Sequence, residues 1–235
     1  MENLPAQNAY RSVSNSLEAV GPGPADGKWP SRADSVLSAV THGVFIVSGM
    51  AALLYQMIWQ RSLLVLYGSN TESVAMVVAA FLVGLGCGGL VGGILSRQKT
   101  IPLVAAFAIL EVLIGSYGLV SLRLFHWVGD LTLNAGILET GLLAFSLVLF
   151  PTVMMGATLP LLVTYRVKAI GHVGRSVSWL YFVNTLGAAL GAFLAPTVFL
   201  RHLGLAGSVE AAALLNLFSA SAMFGCWRWR AHSKS

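Results

Sequence analysis

An all-α, polytopic transmembrane bundle of about six spanning helices is the fold class this sequence predicts, on three observations. Only 10% of its residues are charged, against about 25% in a soluble domain. Hydrophobic residues make up 56% of the chain, and the mean hydropathy is +0.77. The apolar residues gather in six runs, each close to the roughly 20 residues that cross a bilayer as a helix.

Residues 1–34 precede the first run. They hold Gly21-Pro22-Gly23-Pro24, charges of both signs and no apolar segment. A secretory signal needs a basic start followed by a short apolar stretch, so a disordered cytoplasmic tail is expected instead. The runs themselves cover about 36–59, 73–95, 101–122, 141–165, 177–200 and 205–227, the second following the turn-like Gly68-Ser69-Asn70. They define a six-helix membrane domain over 35–228, with a short basic cytoplasmic tail at 229–235.

Lysine and arginine set the expected orientation. With the N-terminus in the cytoplasm, eleven of them (Arg11, Lys28, Arg32, Arg97, Lys99, Arg166, Lys168, Arg175, Arg228, Arg230 and Lys234) lie inside and three (Arg61, Arg123 and Arg201) outside. That bias places both termini in the cytoplasm. It also explains the net charge of +5 without nucleic acid, because the basic residues sit between or beyond the apolar runs. Trp59, Tyr67, Trp127, Tyr165, Trp179, Trp227 and Trp229 fall near run ends, where aromatic belts form. Cys87 and Cys226 each lie within an apolar run. With no CxxC and no paired histidines, neither a disulfide framework, a metal site nor a bound cofactor is expected.

Lipid tails are as apolar as leucine, so close backbone packing and interhelical hydrogen bonds must hold such a bundle. Gly84, Gly88 and Gly92 recur every four residues in the second run, and Gly187 and Gly191 repeat the device in the fifth. The string Gly84-Leu-Gly86-Cys-Gly88-Gly89 lies inside one apolar run. It lacks the strand and helix start that a dinucleotide loop requires. The fourth run contains Pro151 and Pro160, which deprive the carbonyls of Leu147 and Gly156 of their usual donors. Such carbonyls must face protein or a watery cavity. They mark either a kink satisfied by neighbours or a substrate site at a broken helix.

Ionisable groups within spans are functional candidates. Glu111 shares a face of the third run with Ala108, Gly115 and Gly118. Glu210 lies near the outer end of the sixth, beside Ala206, Gly207 and Ala213. A protonatable glutamate at either place suits proton coupling; a structural hydrogen bond, or for Glu210 simple access to the interface, is the plainer alternative. Gln56 and Gln60, Asn184 and Asn216 sit on small-residue faces, where interhelical amide bonding accounts for them as well as ligand contact does. The second and fifth runs are glycine-rich, and the third and sixth each carry one glutamate. This raises a three-plus-three inverted repeat, an arrangement common in secondary transporters.

Three segments carry a family resemblance over about residues 40–225. Tyr55-Gln56-Met-Ile-Trp59-Gln60-Arg61 resembles a first-helix signature. Pro151-Thr152-Val-Met-Met155-Gly156-Ala157-Thr158-Leu159-Pro160 resembles a fourth-helix signature. Gly174-Arg175-Ser176 followed by Tyr181-Phe-Val-Asn184-Thr185-Leu-Gly187 resembles the start of a fifth helix. Together they resemble the membrane portion of the bacterial spermidine-synthase-like membrane proteins, described as fused transporter/spermidine synthases. The resemblance implies a bacterial inner-membrane location. In that family a soluble aminopropyltransferase-like domain commonly follows the helices. These 235 residues end at Arg228-Trp-Arg-Ala-His-Ser-Lys-Ser235 without a strand–glycine loop–helix unit, so no catalytic residue of a synthase carries over and no catalytic role is expected here. A second likeness, of Gly93-Ile-Leu-Ser96-Arg97-Gln-Lys99, is to the major facilitator superfamily, with Ser96 where that superfamily has aspartate. Six helices would be half of such a carrier, which implies a homodimer or a membrane-protein partner.

The expected function is transport or export of a small cationic, polyamine-like metabolite, with Gln56, Glu111, Pro151, Thr158, Pro160, Asn184 and Glu210 as candidate substrate-binding positions. The alternative is a non-catalytic anchor or scaffold in the lipid bilayer for a separately encoded soluble synthase domain or another partner. No Ser/His/Asp, Cys/His or metal constellation points to an enzyme.

Overall fold

The computed structural model describes residues 32–67, 70–98, 100, 102–170 and 173–232. Helices account for nearly all of them, and no strand occurs among them. The helices are α1 (Arg32–Tyr67), α2 (Asn70–Arg97), α3 (Leu103–Leu131), α4 (Ile137–Ile170), α5 (Val173–Leu194) and α6 (Leu200–His232). A single π-helical turn, Ala195–Phe199, joins the last two. The expected tail at 1–34 therefore loses its last residues to α1. The rest of it lies outside the described residues, as do Gly68 and Ser69. The expected basic tail at 229–235 is helical as far as His232.

Among the described residues five helices, not six, are long and apolar enough to cross a membrane. The expected fifth and sixth spans merge into one helical stretch, Val173–Trp229, of 57 residues. At 1.5 Å per residue that stretch would run about 85 Å, against a hydrocarbon core of about 30 Å. Two local features interrupt it. Pro196 has no N–H to give, and the widened turn at Ala195–Phe199 absorbs it, with the Leu200 N–H bonding back to the Ala195 carbonyl. Gly204 then adopts φ 66°, ψ −168°. Only glycine takes that conformation without a side-chain clash.

Two apolar clusters show which helix segments lie at the same level. One joins Leu37, Val44 and Phe45 with Val104, Phe107, Leu162, Leu180, Val183 and Met223. The other joins Tyr55, Trp59, Val77, Phe81, Phe125, Val148, Ala195 and Val209. α1, α3, α4 and α6 thus each run between the two clusters, α2 runs from the second toward Leu103 and Leu161, α5 leads from the first toward Ala195, and the chain changes direction between Ala195 and Val209, where Gly204 lies. Arg97, Arg166, Lys168, Arg175 and Arg228 belong to the end marked by the first cluster, called the basic end below.

Every helix turns large apolar residues outward. Val65 is 81% exposed, Leu90 72%, Ile109 55%, Phe150 61%, Phe193 67% and Leu214 65%. In water such a surface would drive aggregation; in hydrocarbon it is the ordinary solvent contact of a spanning helix.

The interior seams are built from glycine. A methyl group at Gly84, Gly88 or Gly92 would strike the backbone or Thr152 side chain of α4, and one at Gly156 would strike Leu85 of α2. α5 uses the same device against α1, where Gly187 and Gly191 lie on the backbones of Ile46 and Met50. The α3–α6 pair is looser, with Gly115 facing Ala213 and the Asn216 Cβ at 3.3 and 3.4 Å from where a Cβ would stand. By contrast Gly86, Gly89 and Gly93 of α2 face open space. One helix therefore carries a packed and an unpacked glycine face. Gly88→Ala should lower stability by about 1–3 kcal/mol through overpacking. Gly89→Ala should be neutral or slightly stabilising, because it restricts only the unfolded chain. Thermal unfolding of both variants in one detergent checks this, and equal losses would contradict the seam assignment.

Candidate functional site

The most enclosed acidic group is Glu111, on α3, with no exposed surface. Two helices supply donors to it. The Ser48 hydroxyl of α1 donates to Oε1 at 2.6 Å, and the Asn216 amide of α6 donates to Oε2 at 2.7 Å. Both carboxyl oxygens are thus bonded from opposite sides, and α1, α3 and α6 meet at this one side chain. α3 can present a carboxylate here because Gly115, one turn on, lets α6 approach closely enough for Asn216 to reach across.

Two buried polar atoms have no hydrogen-bond partner among the described residues: Asn216 Oδ1, on the amide that bonds Glu111, and the Tyr55 hydroxyl, which lies beside Gly118 two turns along α3. Both residues are buried. The Tyr55 ring lies against Gly118, further along the same face of α3, within range of the Glu111 charge. An unmet acceptor in a low-dielectric interior costs about 1–3 kcal/mol, and such groups often mark a place for an absent water or ion. The Glu111 carboxylate and the unmet amide oxygen of Asn216 are both acceptors. They suit a group that brings donors, such as an ammonium, or a cation that takes oxygen ligands.

A second polar layer lies beyond it. Trp59, expected near a run end in an aromatic belt, is instead 1% exposed. It stacks on Tyr55 with centroids 5.1 Å apart and donates its indole N–H to Ser121 at 3.1 Å. The helix continues eight residues past Trp59, so the aromatic falls inside the bundle.

The prolines of α4 have a partly visible resolution. Pro151 frees the carbonyl of Leu147, and the Tyr117 hydroxyl of α3 donates to that oxygen at 2.6 Å. At Pro151 the kink is therefore satisfied by a neighbouring helix. The Thr158 hydroxyl bonds the Met155 carbonyl of its own helix at 2.7 Å. Thr152 reaches across to the Ala80 carbonyl of α2 at 3.3 Å, and within its own helix to Leu149 at 2.8 Å.

The other candidate positions do not converge on Glu111. Asn184 lies on the α5 side of α1, where its two carbonyl oxygens crowd Gly49. Gln56 is half-buried on α1, one residue past Tyr55 and so on a different face. Pro151 is buried and Pro160 half-buried, both on α4. Glu210 is exposed. It precedes Asn216 by six residues, which is roughly 240° around the helix, so it looks away from the bundle. The two glutamates are thus not equivalent members of one site. Ser48 is a partner that sequence reasoning missed, because it is one serine among many. Two surface hollows, one between α3 and α6 near Ala108 and Phe224 and one along α2 from Thr71 to Leu82, are mainly apolar and are not lined by Glu111.

Comparison with known proteins gives distant relatives. The chain is 25% identical over 159 residues to the polyamine aminopropyltransferase of Mycobacterium tuberculosis H37Rv, covering 66% of this chain and 29% of that protein. It is 27% identical over 192 residues to the polyamine aminopropyltransferase of Corynebacterium efficiens, covering 78% of this chain and 35% of that protein. The chain thus spans about a third of the length of the curated relatives it matches. No family model matches it, and no solved structure does. The likeness agrees with a spermidine-synthase-like relationship.

The Glu111–Asn216 contact is testable by itself. Glu111→Ala, Asn216→Ala and the double variant should show a coupling of about 0.6–1.7 kcal/mol in a thermal or denaturant cycle, the range of interhelical hydrogen bonds in membranes. Strictly additive losses would mean that the two side chains do not interact.

Proposed function

We propose that this chain is the membrane-spanning part of a transport or export system for a small cationic, polyamine-like metabolite, with Glu111 as its cation-binding group. The observation that carries this reading is Glu111 itself. Among the described residues it is a fully buried carboxyl bonded by neutral donors, Ser48 and Asn216, and the Asn216 amide oxygen beside it has no donor of its own. Ionisable groups in such positions mark ion and substrate paths. The site is closed on all sides in this structure, as an occluded state would be, so transport requires α1, α3 and α6 to part. The polyamine class is supported by the names of the distant relatives.

In this reading the chain crosses the bacterial inner membrane six times with both termini in the cytoplasm, and Val173–Trp229 supplies two crossings that turn at Gly204. The basic end then faces the cytoplasm. The packing supports a three-plus-three inverted repeat, because α2 lies on α4 as α5 lies on α1. A second reading, in which these helices anchor an aminopropyltransferase unit, is favoured by one fact: the relatives that match are about three times as long as the matched region.

Uptake of radiolabelled putrescine or spermidine into proteoliposomes separates the two. Transport should occur with the wild type and fall at least about tenfold in Glu111→Gln, which keeps the shape and removes the charge. Uptake by the variant at the wild-type rate rules Glu111 out as the cation-binding group, and no uptake by either protein favours the anchor. Topology is checked by reporter fusions after Leu203 and after Trp229. They should report opposite sides of the membrane, and reporters on the same side would remove the turn at Gly204 as a membrane boundary.

A further inference from the structure

At the basic end, away from Glu111, the structure holds a second buried charge of opposite sign. Arg166 on α4 is 9% exposed. Its Nη1 donates to the Ser38 hydroxyl of α1 at 2.7 Å, while its Nε is buried with no hydrogen-bond partner among the described residues. The neighbouring charge that bears on it is that of Arg175 on α5, which has the same sign. One turn past Ser38, His42 lies within range of the Arg166 charge, and its own Nε2 is likewise buried and unbonded. The His42 ring stands edge-on to Trp179 of α5, centroids 5.9 Å apart. Three helices thus bring a guanidinium, a second arginine and an imidazole together, with donor atoms left over and the indole of Trp179 beside them.

We propose that this cluster is a binding site for a phosphate group, with Arg166 as its principal ligand. The guanidinium offers a planar fork of donors matched to phosphate oxygens. Ser38 fixes that fork by one arm, which leaves its remaining N–H groups for the anion. Arg175, exposed on the adjoining helix, supplies attraction from the open side. Basic pockets between spanning helices are recurrent sites for anionic lipid headgroups, and a free phosphate offers the same oxygens. The acceptors at Glu111 would repel both, so the two sites take opposite charges and stand or fall separately.

The test uses the full chain reconstituted in phosphatidylcholine nanodiscs. Thermal unfolding is followed in one arm as phosphatidylglycerol replaces part of the lipid. In the other arm inorganic phosphate is titrated against chloride at constant ionic strength. Stabilisation by phosphatidylglycerol alone identifies a lipid headgroup, and stabilisation by phosphate identifies a soluble anion. Either supports the site. Arg166→Lys keeps the charge but loses the fork and should weaken the response about tenfold. Arg175→Ala, at an exposed position that folding tolerates, should weaken it about threefold. Absence of stabilisation in both arms overturns the proposal, and so does a full wild-type response in both variants.

Discussion

Direct contact between helix backbones is the interaction on which the rest of this bundle depends. Hydrocarbon gives apolar side chains no reason to leave it, so association must come from close packing and polar bonds. Gly88 and Gly92 bring α2 onto the backbone of α4, and Gly187 and Gly191 bring α5 onto that of α1. Side chains elsewhere then reach partners that no other spacing would allow. Tyr117 meets the Leu147 carbonyl, and Thr152 meets that of Ala80.

The same solvent imposes a strict accounting of backbone groups. A helix interrupted at membrane depth must find replacement partners within the protein. Pro151 is answered by a tyrosine from a neighbouring helix, and Pro196 by widening one turn to the π form. Polar side chains that face no partner bond their own helix instead, as Thr185 does to the Tyr181 carbonyl and Ser146 to that of Leu142. Against this background Asn216 Oδ1 and the Tyr55 hydroxyl stand out, because both are buried without a hydrogen-bond partner among the described residues.

What the residues disclosed in advance follows from the range of each interaction. Helix class, glycine seams and the carbonyl freed by Pro151 depend on spacings of three or four residues, which are visible along the chain. The partner of that carbonyl lies 30 residues away, and those of Glu111 lie 63 and 105 away; periodicity carries no information about them. Glu210 misleads for a related reason. Small neighbours on its own helix resemble a packed face, yet the face that is packed is the one bearing Asn216. The break between the fifth and sixth runs is visible in the sequence, because Arg201, His202 and Gly204 interrupt the apolar pattern there; that helical structure nonetheless continues from Val173 to Trp229 is not.

The reciprocity of the seams gives the position of Glu111 a further meaning. In the proposed repeat, exchanging the first three helices with the last three turns the α2–α4 seam into the α5–α1 seam and returns the α3–α6 pair to itself. A pseudo-twofold axis in the membrane plane would therefore pass through the α3–α6 contact, where Glu111 meets Asn216. Were the repeat strict, like would face like there. Two carboxylates would repel unless a proton or cation lay between them, and two amides would hold no charge. One carboxylate opposite one amide keeps a single negative centre and leaves an amide oxygen free to complete the coordination of a cation. Of the glycine contacts, that of Gly115 between α3 and α6 is looser than those joining α2 to α4 and α5 to α1. Movement of one pair against the other would be taken up at the looser contact, which is the place where a change in the charge state of Glu111 is felt by both halves at once.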